Sequence, residues 1–364
     1  MTLVVQPDAL VGFARQVDRA AADVWEIRSY LNRHAEVATG GEALHIAKAS
    51  HEHAVEVLNA TLNRLACLLE NSAPELRVSA DYYRATDLAA ADGLDRTLPG
   101  EFDRCITALE MEVASNPCTP ANFVDSRDVR GQLDSPGEAQ NPSNALGWMD
   151  YASPSSWINQ VLDDVFGFDP IGEIQNRVSG DGEALARMAP VVDNIGRALH
   201  ELAYNVQSGT TTLRPFWRGV AGDGAFQYFT TTANVVADLR EPLGEISKAY
   251  LELADAVWSA GESLGGVVKG IIDAAIITSV SAVAGTATSA TGIGAVVGYG
   301  LAAAEVANMF RLWGEATRLC QHIAAAVLVF RTALVRILND LDTAALPALP
   351  DGGRYDHPLA GAKA

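Results

Sequence analysis

The chain has 364 residues, of which 49% are hydrophobic, enough for a sizeable core and too many for disorder throughout. Its 45 Asp and Glu against 26 Lys and Arg leave a formal net charge of −19, a mean field that repels nucleic-acid phosphates and anionic lipid. No nucleic-acid partner is expected. The cysteines Cys67, Cys105, Cys118 and Cys320 lack both C-x-x-C spacing and the histidine neighbours of a structural metal site.

The first residues, through Asp8, carry neither a basic stretch nor a long apolar run, so a general secretory signal peptide is not expected. Leu10, Phe13, Val17, Ala20, Val24, Ile27 and Leu31 then recur at steps of three and four, one stripe of a helix, with Pro7 suited to its first turn. Gly40-Gly41 breaks the pattern. Leu44, Ala47, His51, Ala54, Leu58, Leu62, Leu65 and Leu69 restart it, and two such stripes bury each other as an antiparallel hairpin within residues 1–98. Pro74 is expected to kink or restart the second arm before Leu76, Ala80 and Tyr83. His51 and His53, near His45, invite a metal, but side chains two apart on a helix point nearly opposite ways. A seam-packed or solvated histidine is the better reading.

Residues 99–154 lose periodicity, and Pro117, Pro120, Pro136, Pro142 and Pro154 stand among Asn, Ser, Gly and Asp, which reads as a linker. Cys105 and Cys118 within it are expected to pair in oxidising surroundings. In residues 155–275 the stripe returns with Leu185, Met188, Val192, Ile195, Leu199, Leu202 and Val206, and halts at Gly209. After Phe216-Trp217-Arg218-Gly219 it resumes through Phe226, Phe229, Ala233, Val236, Leu243, Tyr250 and Leu264, giving a second hairpin with Trp217 and Gly219 at its tip and a bend at Pro242.

In residues 276–345 an apolar Gly/Ala-rich segment is followed by an amphipathic helix marked by Val306, Met309, Ile323, Val327, Phe330, Leu334 and Ile337; no charge occurs from 274 to 304. Gly292-x-Gly294 is spelled like a nucleotide loop, but no second strand follows to build a β-α-β unit. Gly294 and Gly298 read instead as a close helix-packing motif, inside the protein ahead of within lipid. Residues 346–364 read as a flexible tail. Alternating β-branched runs are scarce, so the fold class is all-α, two helical hairpins in an elongated bundle with these later helices.

Trp217-Arg218-Gly219-Val220-Ala221, followed by Phe226 and Phe229 between two heptad-like arms, resembles the WXG (ESAT-like) family of small secreted helical hairpins. The stretch from Ser79 through Tyr83 and Asp87 to Asp95 looks like the end of EspC-type substrates of actinobacterial type VII (ESX) secretion. Within it, Tyr83 and Asp87 fit the Tyr-x-x-x-Asp/Glu export signal of such substrates. At i and i+4 they would share one helix face and one receptor groove. The family carries the tip and the signal on two partner chains; here both lie on one.

The resemblance implies a secreted or cell-surface protein whose partners are the type VII machinery and a small WXG-type partner or chaperone. No nucleophile-base pair, paired-carboxylate motif or phosphate loop stands out, so neither an enzyme nor a cofactor is expected. Two alternatives remain: an effector that inserts residues 264–304 into a membrane, and the delivery portion of a toxin, for which a catalytic domain would be expected after the tail. If the two hairpins pair as partner chains do, residues 1–98 pack on 182–273 with Trp217 nearer Tyr83 than the Gly40-Gly41 turn.

Overall fold

A computed structural model describes residues 3–37, 42–100, 105–115, 122–136, 156–178, 182–287, 293–343 and 354–359. Helix α1 (Pro7–His34) opens with Pro7, whose missing N–H costs nothing in a first turn, and closes with Arg33 and His34 against the negative end of its dipole. It buries Leu10, Phe13, Val17, Ala20, Val24, Ile27 and Leu31, the stripe read from the sequence. Helix α2 (Glu42–Ala85) runs back beside it. The Gly40-Gly41 turn between them lies outside the described residues.

Pro74 does not interrupt α2. It sits on the exposed face, as does Glu70, whose carbonyl loses its helical N–H partner, so water can replace that bond and the helix continues. Helix α3 (Leu88–Asp95) follows after a two-residue break, and α4 (Ala108–Ser115) precedes residues 122–136. Short helices α5 (Ser156–Phe166) and α6 (Pro170–Val178) lead into α7 (Gly182–Leu213), α8 (Val220–Asp238), α9 (Arg240–Ala287) and α10 (Ile293–Thr343). At 1.5 Å per residue α10 is about 76 Å long, which makes the bundle elongated.

Helix neighbours close on themselves: α2 lies against α1, α1 against α7, α7 against α8 and α9, α9 against α10, and α10 against α2. The two hairpins therefore share a single core. Near the α1–α2 turn, His51 of α2 is buried between Tyr250, 2.8 Å from Nδ1, and the Ala35 carbonyl, 2.7 Å from Nε2. Nε2–H donates to the carbonyl and Tyr250 donates to Nδ1, so the ring is neutral, and burial pushes its pKa down. His51 is a seam residue, whereas His45 and His53 are exposed.

Four sequence expectations need correction. The helix does not halt at Gly209 but runs to Leu213. Gly209 is a point of close approach to α1, since a Cβ there would stand 2.0 Å from Gln16 Oε1 and 2.8 Å from Phe13 Cε2. The boundary at 275/276 falls inside α9, which pairs with α10 from Glu245 and Tyr250 to Gly270 as a third hairpin. Residues 122–136 are no spacer: Phe123 and Val129 are buried, and Asn205 of α7 accepts from the Ser126 and Arg127 amides and donates to the Arg127 carbonyl. The Tyr30 hydroxyl, itself bonded by Asn194, holds the Asp134 carbonyl. Lastly, residues 354–359 of the tail are docked, with Tyr355 and His357 buried. The bend near Pro242 is seen as the break between α8 and α9, where a proline in the first turn of α9 has no N–H to continue the earlier helix.

Candidate functional site: the Trp217–Tyr83 junction

Trp217 and Arg218 form a two-residue strand, β2, antiparallel to β1 (Val4–Val5), with Val5 opposite Trp217; this ladder is the only strand pairing among the described residues. Gln6 N donates to the Phe216 carbonyl at 2.9 Å, so the start of the chain is tied to the tip of the second hairpin. Gly219 follows with φ 135°, open only to glycine, and a Cβ would stand 2.6 Å from Asp95 Oδ2 and 2.9 Å from Leu3 Cδ1.

Gly219 is the N-cap of α8 and offers no capping side chain. Asp95, at the end of α3 in the first module, supplies the cap: Oδ2 accepts from Val220 N at 2.8 Å and Oδ1 from Ala221 N at 2.9 Å. A buried carboxylate facing two amides at the positive end of a helix is well matched in charge and in hydrogen bonds. Asp92 adds a bond to Leu3 N. Modules far apart in sequence are thus joined by the Trp-x-Gly turn itself.

Trp217 meets Tyr83 edge to face at 6.2 Å between ring centroids, and its Nε1–H donates to the Tyr83 hydroxyl at 3.4 Å. Both are buried, and burial raises the Tyr83 pKa well above the phenol range. His357 stacks on Trp217, 5.8 Å apart and 9° from parallel, with Nε2 3.0 Å from the Tyr83 hydroxyl. Its Nδ1 accepts from Leu359 N, so the proton is assigned to Nε2. Burial lowers its pKa to about 4, against the opposing pull of Asp95 and Asp356. Tyr355 packs between Trp217, Tyr228 and Phe229, and its backbone N donates to Ser72 Oγ at 3.0 Å.

Tyr83 and Asp87, expected on one helix face, are separated. Helix α2 ends at Ala85, and Asp87 is the exposed N-cap of α3, accepting from Ala89 N and Ala90 N, while Tyr83 faces inward. The break at Thr86 resets the helical phase, which a spacing rule cannot see. Gly294 and Gly298 stand one turn apart at the start of α10; Gly298 is buried, and the surroundings of Gly294 lie outside the described residues, as do Gly292 and Cys118. Cys105 is exposed.

Asp95, Ser72, Tyr228, Tyr355 and His357 escaped the sequence reading. The only sign of the last two was a pair of aromatic rings at alternate positions in a Pro/Gly/Ala-rich tail. Elsewhere, an open hollow of about 310 Å³ lies beside Arg33 and Arg187, but both cations already pair with Glu26 and Glu183. Among the described residues no three His, Cys, Asp or Glu side chains are grouped to hold a metal ion. No family model matches the chain, and neither a curated protein nor a solved structure matches it.

Proposed function

We propose that this chain is a non-enzymatic substrate of a type VII (ESX-like) secretion system, exported as one helical bundle to the cell surface or beyond, where it acts as an interaction protein. One observation carries the reading: the Trp-x-Gly tip and the tyrosine of the export motif, on separate modules, meet ring to ring at one end of the bundle. The first hairpin packs on α7 and α10 of the later helices, which supports treating the chain as its own partner. Asp87 is then the exposed part of the signal, and Tyr83 sits behind the tail.

Because Tyr83 is buried, replacing it with Ala would damage the core. The cleaner test is Asp87→Ala beside Tyr83→Phe, with cytoplasmic level and helicity as controls. Asp87→Ala is expected to leave a folded cytoplasmic protein and to remove it from the culture supernatant. Secretion of both variants at the wild-type level would sink the proposal.

A second reading, membrane contact, is favoured by the far end of the α9/α10 hairpin. Over the uncharged stretch, Val280 (63% exposed), Val283 (67%), Tyr299 (49%) and Leu301 (51%) face outward from both arms. An apolar surface around both arms suits lipid better than a one-sided protein interface. By length and composition the described residues hold two helices long and apolar enough to cross a membrane, one ending at Ala284 and one starting at Gly298. With a net charge of −19 the favoured lipid is zwitterionic. The wild-type chain is expected to float with phosphatidylcholine vesicles and the Val280→Asp/Val283→Asp variant to stay behind. Equal behaviour of the two would reject this reading.

A further inference from the structure

Residues 354–359 enter the cleft between α2 and α8 as an extended segment. Burial alternates along it: Arg354, Asp356 and Pro358 are exposed, and Tyr355 and His357 are inside, the period of two of an extended chain. Each inward residue has a built receptor. Tyr355 enters a ring pocket of Trp217, Tyr228 and Phe229, and its backbone N–H is taken by Ser72, a fully buried hydroxyl that also donates to the Leu68 carbonyl. His357 lies flat on Trp217 and donates to Tyr83. Outside, Arg354 pairs with Glu75 of α2 at 3.5 Å.

We propose that this cleft is a peptide-binding site, recognising an extended segment with aromatic rings at alternate positions and filled in cis by residues 354–359, which close the Trp217–Tyr83 junction until they are displaced.

Two features mark the segment as a ligand of the cleft and not as a strand of the core. It contributes no regular element, being held by ring pockets and by hydrogen bonds that it donates to Ser72 and Tyr83. The Tyr355 hydroxyl is also buried with no partner among the described residues, so the pocket leaves one polar group of its present occupant unsatisfied. A peptide in trans with a matched group at that position would compete. The cis segment holds its place through the high effective concentration of a tether. The consequence for export, that Tyr83 is readable only when the segment lifts, rests on the reading of the junction given above; peptide binding does not.

The test uses the full-length chain and a fluorescent synthetic peptide of residues 350–362. The Tyr355→Ala/His357→Ala variant, with helicity matched to wild type, is expected to bind the peptide one to one, at least tenfold more tightly than the wild type, whose site is occupied. A peptide carrying the same two alanines is expected not to bind. Equal binding by variant and wild type, no binding by either, or equal binding of the alanine peptide overturns the proposal. A second measurement needs no variant: excess peptide added to wild type is expected to speed amide exchange in residues 354–359 at least tenfold, and unchanged exchange overturns it. Normal secretion of both Asp87→Ala and Tyr83→Phe would defeat the export reading and leave this result untouched.

Discussion

At Gly219 the backbone lies where a side chain costs both torsional strain and a collision with Asp95 and Leu3. Gly219→Ala is expected to destabilise the chain by roughly 2 kcal/mol in denaturant titration. Asp95→Ala leaves the Val220 and Ala221 amides at a buried helix start without an acceptor, at a cost of about 2 kcal/mol. Asp95→Asn, which keeps one oxygen, is expected to lose less. His357 makes docking of the tail pH-dependent. Its pKa is about 4 when docked and 6.5 when exposed, so the docked state binds fewer protons, is fully favoured above pH 6.5 and loses ground as pH falls towards 4. The groups facing it are Tyr82 and Tyr83 of α2, Asp95 of α3 and its own neighbour Asp356. The full loss is on the order of a hundredfold in the docking equilibrium. Amide exchange of residues 354–359 between pH 7 and 4.5, compared with His357→Asn, reads it; the variant should lack this step.

At the scale of elements, close approach and side-chain clamps replace long-range regular structure. Helices α1 and α7 touch because residue 209 has no side chain. Gly209→Ala is expected to cost about 1–3 kcal/mol through overpacking against Gln16 and Phe13. Residues 122–136 lie on the seam because Asn205 satisfies three backbone groups of a segment that has no ladder of its own. Asn205→Ala should therefore raise exchange at Ser126 and Arg127 well before the helices open. Restriction of the increase to other segments would refute the clamp. The periodic stripes of α1, α2, α7 and α9 were legible because burial on one helix face needs apolar residues at steps of three and four. Neither the Asn205 clamp nor the Asp95 cap was legible, since one polar side chain acting on a distant backbone leaves no period.

For the whole molecule, the closed order of helix neighbours predicts one cooperative unit. If the chain is cut by an engineered protease site between residues 136 and 156, the two pieces should co-elute on gel filtration, because α1 and α2 stay packed on α7 and α10. Separate elution of the pieces would contradict a shared core. Two regions differ in chemistry: an aromatic junction in which Tyr355 and His357 are buried, and an uncharged stretch of α9 and α10 that exposes Val280, Val283, Tyr299 and Leu301.

The sequence alone determined the all-α class, the paired stripes, the tip at Trp217 and Gly219, and the absence of charge from 274 to 304, because each is a local pattern of residue types. Tertiary structure decided that Tyr83 faces inward while Asp87 faces out, that Asp95 caps a helix 125 residues away, and that Tyr355 and His357 fill the junction. Those outcomes depend on which surfaces meet when the core closes. A single buried ring or carboxylate takes its meaning from neighbours that the chain brings together only by folding.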